Sequence, residues 1–178
     1  MSKVEELRTE QLECMAARLV SGTRTKFIGV FAADMIPKRI EVYPCAYIVN
    51  TDPSNMPGSH WVTYFHSSPD APIEFFDSYG QLPSVYSLPQ PTPLVSNSHS
   101  LQSITSSVCG HYCLMFIYLR SRNNSISNIV NLIKSQKTPS SSFDSFVLQY
   151  VNKLRRLYRV TFSRSSSTCS QCCKPKCL

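Results

Sequence analysis

Three short motifs in a fixed order constrain this chain more than anything else in it. Gly-Ser-His-Trp ends at Trp61, Phe-Phe-Asp-Ser-Tyr-Gly runs from Phe75 to Gly80, and Val-Cys-Gly-His-Tyr-Cys runs from Val108 to Cys113. Each lies inside or beside an apolar run, and together they supply His60, Asp77 and Cys109. A thiol that attacks a carbonyl needs an imidazole to take and return its proton. It also needs a carboxylate to hold that imidazole in the useful tautomer. A fold that serves this chemistry must bring two strand ends and a helix start to one place.

The 178 residues suffice for one domain with a sizeable core. No run of about 18 apolar residues exists, so no transmembrane helix is expected. The start, Met-Ser-Lys-Val-Glu-Glu-Leu, lacks the apolar stretch of a signal peptide, so the protein is expected inside the cell that makes it and not secreted. The eight cysteines are scattered: Cys14 in a predicted helix, Cys45 in a strand, Cys109 and Cys113 in another helix, and four in the last ten residues. Without a secretory signal, reduced thiols are the expectation. Net charge is +7, and the surplus is uneven. Lys134, Lys137, Lys153, Arg155, Arg156, Arg159, Arg164, Lys174 and Lys176 fall in the last third, with Asp144 the one acid after Asp77. Such asymmetry suits a polyanion such as DNA, or else is a solvated basic face.

Periodicity predicts the elements. Ser2 and Glu5 have capping-box spacing, and Leu12, Met15, Ala16 and Leu19 carry a helix to about Val20, stopped near Gly22. Strands are predicted over 26–31 and 41–49, and an antiparallel pair over 61–65 and 73–76. Pro83, Pro89, Pro91 and Pro93 make residues 81–100 a surface loop. Helices follow from about Val108 to Arg120, around Ile126–Ile133, and from Phe143 to Tyr158. The expectation is an α+β fold of one domain, 1–162, followed by a basic, Cys-rich flexible tail, 163–178.

Cys109 falls at a predicted helix start, where free N–H groups and the positive dipole end favour thiolate. Gly110 would let a substrate backbone approach closely. Cys113, one turn on, is expected to face packing. His60 stands at a strand end. His66 and His99 lack such a setting, and His111 shares the helix of Cys109 in poor geometry for a partner. Asp77 ends its strand and is favoured over Glu74, which lies mid-strand. The Cys109 backbone N–H and the side chain of Gln102 are candidate oxyanion donors. The alternatives at each position are structural: two buried thiols, a satisfied histidine, a turn-initiating Asp, a Gln in a polar loop.

His-Trp, then an acidic residue before X-aromatic-Gly, then Gln, six residues and Cys-Gly-X-X-Cys, resembles the adenovirus-type cysteine proteases. The resemblance runs from about Phe27 to Leu119 and takes in Phe27–Phe31 and Cys45–Asn50. With Asp77 in place of a Glu, the wording is most similar to relatives in Maverick/Polinton-type elements and related animal DNA viruses. The resemblance implies a papain-like, adenain-like fold with a central, mostly antiparallel sheet flanked by helices. It implies His60 as general base and acid, Asp77 as its orienter, Cys109 as nucleophile, Gln102 as oxyanion donor and Trp61 as a packing residue beside them. It also implies a monomeric thiol endopeptidase that cleaves capsid and core precursors at Gly-containing sites during virion maturation, in the host nucleus or the virion. No cofactor is needed for such chemistry, while DNA and a viral peptide can stimulate it.

Two departures stand out. Residues 81–100 are shorter than the adenoviral counterpart and hold no Cys, which puts a disulfide-linked peptide activator in doubt. The tail carries Cys169, Cys172, Cys173 and Cys177. Four thiols can hold Zn²⁺, but so close a spacing is tight for a separate zinc site, so a flexible, substrate-like or redox-active tail is favoured. Two other enzyme readings share the motif order: a SUMO- or ubiquitin-like deconjugating protease, and an acetyltransferase reusing the same dyad. Outside enzymes, the alternative is a basic DNA- or capsid-binding protein in which the trio is packing. That reading leaves the ordered appearance of four roles unexplained.

Overall fold

The computed structural model describes residues 6–136 and 142–160. Four helices and five strands follow in the order α1 (Thr9–Leu19), β1 (Lys26–Ala32), β2 (Cys45–Asn50), β3 (Trp61–His66), β4 (Ile73–Phe76), β5 (Leu94–Ser96), α2 (Cys109–Arg120), α3 (Ile126–Ser135) and α4 (Phe143–Leu157). The strands form one sheet in chain order, β1-β2-β3-β4-β5. β1 pairs parallel to β2 and β4 parallel to β5, while β2–β3 and β3–β4 are antiparallel. The class is α+β as expected, but the sheet is mixed rather than mostly antiparallel.

Alternation along β2 and β3 assigns the two faces. Ala46, Ile48, Trp61 and Phe65 join the helices in the main core, whereas Tyr47, Val49, Val62 and Tyr64 face a smaller cluster with Phe75 and Leu88. Both central strands are therefore buried on both sides, which is why they read as continuous apolar runs. Helix α2 is the axle of the main core. Ten of its twelve residues are buried, so it is apolar all round rather than striped. The other helices have one-sided faces: Leu12, Met15 and Leu19 on α1, Ile126, Ile129, Val130 and Ile133 on α3, and Val147, Val151 and Leu154 on α4. Ser125 and Ser142 cap α3 and α4, each accepting the N–H three residues on.

Four expectations need correcting. Helix α1 begins at Thr9, with Arg8 as its N-cap and the Arg8 N–H bonded to Gln11 Oε1 at 2.9 Å, while the expected Ser2–Glu5 capping box lies outside the described residues. The second strand starts at Cys45, not 41, because Pro44 ends the loop before it. Residues 81–100 are not merely loop: a 3₁₀ turn spans Pro83–Tyr86, and β5 adds an edge strand between prolines and serines. Cys14, expected reduced, is disulfide-bonded, and its partner is none of Cys45, Cys109 or Cys113, which are free. The compartment argument concerns the average thiol and does not register a particular pairing. The proposed tail and its four cysteines lie outside the described residues.

Candidate active site

The antiparallel β3–β4 pair brings His60 and Asp77 together. His60 immediately precedes β3 and Asp77 immediately follows β4, so antiparallel pairing puts both at the same end of the sheet. His60 Nε2 and Asp77 Oδ1 are 2.6 Å apart, with the side chains 6% and 0% exposed. With Nε2 engaged, Nδ1 is the ring nitrogen left for a second partner. The Cys109 side chain lies close enough to act on the imidazole as well. Burial disfavours the charged imidazolium, but the hydrogen bond to Asp77 and the neighbouring Cys109 side chain outweigh it and raise the His60 pKa to about 9.

Cys109 is the first residue of α2, and its backbone N–H, in the first helical turn, has no intrahelical acceptor. Gly110 has a different role from the one the sequence suggests. A Cβ there would lie 3.0 Å from Leu12 Cδ2 and 3.3 Å from Leu7 Cβ, so its small size admits α1 and the segment before it. Cys113 is buried in the core as expected, and burial pushes its thiol well up.

Asp77 holds more than the imidazole. Its Oδ1 also accepts the Tyr79 N–H at 3.0 Å, and its Oδ2 accepts the Gln81 N–H and the Tyr86 hydroxyl, both at 2.9 Å. Its backbone is clasped by Asn97, which accepts the Asp77 N–H at 3.0 Å and donates to the Asp77 carbonyl at 2.6 Å. The rival Glu74 is committed elsewhere, in a bidentate pair with Arg120 on α2.

The motif Phe75–Gly80 also holds the Gln102 segment. The Ser78 carbonyl accepts the N–H groups of Leu101 and Gln102, and the Ser78 hydroxyl donates to Gln102 Oε1 at 2.7 Å. Gln102 Nε2 in turn donates to the Ser106 carbonyl at 2.8 Å and to Tyr79 Oη at 3.3 Å. Asp77, Ser78 and Tyr79 thus link His60 with Gln102, and the Cys109 side chain lies within electrostatic reach of His60 and Tyr79. The sequence reading missed Tyr79, Tyr86 and Asn97. Tyr79 stood in plain view inside the motif, but Tyr86 and Asn97 lie in the Pro-rich stretch, where no periodicity points inward.

Of the remaining histidines, His66 pairs with the Tyr47 hydroxyl at 3.2 Å, and burial lowers its pKa. His111 is buried with its Nδ1 unpartnered. A cleft of about 760 Å³ opens beside the pair, lined by Leu7, Arg8 and Glu10 from the N-terminal segment and by Gly58, His60 and Trp61. Trp61 is nearly buried and packs in the core, as its implied role requires. Among the described residues no group of three or more His, Cys, Asp or Glu is placed to hold a metal ion, and no helix is long and apolar enough to cross a membrane.

Comparison with known proteins finds the same likeness as the motifs. No protein-family model matches. Over 111 aligned positions, which take in 52% of the chain, it is 30% identical to the protease of porcine adenovirus A serotype 3 and covers 54% of it. The chain resembles an adenovirus protease. It spans about half the length of that curated relative. Among solved structures, a SUMO protease with its catalytic cysteine oxidised to a sulfinic acid aligns over 84% of this adenovirus-protease-like chain and 80% of its own, at a TM-score of 0.48 and 12% identity.

Proposed function

We propose that the chain is a thiol endopeptidase. Cys109 attacks the peptide carbonyl, His60 takes its proton and returns it to the leaving amine, and Asp77 orients the imidazole. The observation that carries this reading is the line from Asp77 through His60 to the Cys109 thiol at a helix start. The Cys109 N–H and Gln102 Nε2 are the oxyanion donors. No cofactor enters the chemistry. The open cleft along Leu7–Glu10 and Gly58–Trp61 suits an extended peptide. By likeness to the adenovirus protease, the substrates are capsid or core precursors cut at Gly-containing sites during maturation, in the nucleus or the virion. The exposed Lys153, Arg156 and Arg159 on and beyond α4 favour DNA as a stimulating partner of a monomer.

The test is cleavage of Gly-containing peptides and of a SUMO or ubiquitin fusion, with and without DNA, by wild type and Cys109→Ala. The expected result is cleavage of X-Gly-X-Gly or Gly-Gly-X peptides that Cys109→Ala abolishes while keeping its fold. Turnover retained by Cys109→Ala contradicts the proposal. Cleavage of the fusion alone moves the chain to the deconjugating class.

A further inference from the structure

Tyr79 stands against both the base and the oxyanion donor. Its ring lies on the His60 ring, centroids 4.5 Å apart at 29°. Its Oη accepts the Gln102 Nε2–H at 3.3 Å. Phenols nearby donate their hydrogens to protein acceptors: Tyr86 to Asp77 and Tyr112 to Asp144. Tyr79 is half-buried, accepts rather than donates in its contact with Gln102, and so has its hydroxyl hydrogen left to give. Its backbone is fixed beside the reacting groups by the bond from its N–H to Asp77 Oδ1.

Gln102 brings a limited supply of donors. One amide hydrogen is taken by the Ser106 carbonyl at 2.8 Å, and the other makes the longer bond to Tyr79. An oxyanion arriving beside this pair takes over the longer bond and meets the Tyr79 O–H at the same point. We propose that the Tyr79 hydroxyl is a catalytic hydrogen-bond donor to the oxyanion formed when Cys109 attacks a peptide carbonyl, a role that rests on the thiol-protease reading.

The balance of the step is simple. The S–C bond forms, the carbonyl π pair moves onto oxygen, and the thiol proton is held by His60. Tyr79 stabilises the oxygen without giving up its proton. On collapse the C–N bond breaks and the amine leaves with the proton from His60. Burial, followed by the nearby charges of Cys109, Asp77 and Asp144, raises the Tyr79 pKa, so the phenol remains a donor at neutral pH.

Tyr79→Phe keeps the ring and removes the hydroxyl. Iodoacetamide alkylation of Cys109 displaces iodide and forms no oxyanion, so it separates the thiol from the phenol. The expected result is alkylation unchanged in rate and pH dependence, with kcat/KM for a cleaved peptide lowered about 10²-fold, through kcat rather than KM. In a Gln102→Ala background, Tyr79→Phe still lowers the rate about tenfold or more. Equal peptide turnover in wild type and Tyr79→Phe overturns the proposal. So does a loss that vanishes in the Gln102→Ala background, where the phenol would only position the amide, or one explained by a shifted alkylation profile. Failure of wild type to alkylate at Cys109 or to cut any peptide is a different result, and it overturns the thiol-protease reading and this role together.

Discussion

Asp77 carries several duties on one side chain, and its loss should show in more than rate. Removing the carboxylate strips the imidazole of its hydrogen-bond partner and leaves the Tyr79 and Gln81 N–H groups and the Tyr86 hydroxyl without their acceptor. Unpartnered buried donors cost about 1–3 kcal/mol each. Asp77→Ala is therefore expected to lose activity and about 2–3 kcal/mol of stability by denaturant melting, while Asp77→Asn, which keeps one acceptor oxygen, recovers part of the stability. An Asp77→Ala protein that melts like wild type contradicts this account of the turn. The histidines act on stability with opposite signs. His60 is raised to about 9, so its contribution is full below its ordinary pKa near 6.5 and is lost as pH rises through about 9. His111 is held near 4, by burial and then by Arg155. The unfolded chain takes up that proton below about 6.5 while the native state does not, so stability falls from there toward pH 4. His111→Leu removes this penalty together with the unpartnered Nδ1. Its melting temperature is expected to gain on wild type as pH drops from 7 to 5, and a constant gap contradicts the assignment.

At the scale of elements, the site is a meeting of chain ends. The motif of β4 and its following turn does the joining, since Asp77 binds His60, Ser78 binds Gln102 and Tyr79 touches both. Gly80 closes that turn at φ +70°, and a Cβ there would lie 2.6 Å from the His99 backbone carbon. Gly80→Ala combines a strained conformation with a backbone clash. It is expected to cost about 2–3 kcal/mol and to lower peptide cleavage by parting residues 77–80 from residues 97–102. Near-wild-type melting and turnover would show the close approach to be slack. Much of this was legible in the sequence. Continuous apolar runs marked β2 and β3, one-sided periodicity marked α3 and α4, and the three motifs marked His60, Asp77 and Cys109. What was not legible depends on contacts distant in sequence. Strand β5 is three residues long at an edge, too short for alternation to show. The purpose of Gly110 is set by Leu7 and Leu12, about a hundred positions away. Tyr86 reaches Asp77 from a Pro-rich stretch whose composition predicts only loop.

At the scale of the whole molecule, the described residues carry both the cleft and a basic surface on α4. The positive surplus of the C-terminal third is partly structural: Arg155 donates to the Val160 carbonyl, although its side chain remains exposed. Lys153 and Arg156 are exposed on α4 and serve as probes of polyanion binding. If DNA is a partner, Lys153→Gln and Arg156→Gln should each reduce the slope of log affinity against log salt by about one, leaving DNA-free peptide cleavage unchanged. An unaltered slope assigns these charges to simple solvation. The central claim is narrower, that Cys109 reacts because His60 and Asp77 make it react. The direct measurement is mass-spectrometric mapping of the adduct left by a Gly-Gly peptide vinyl sulfone, with its rate followed against pH in wild type and His60→Ala. The account predicts one adduct, on Cys109, formed at a rate that collapses in His60→Ala. An adduct on another cysteine, or a Cys109 rate indifferent to His60, would contradict it.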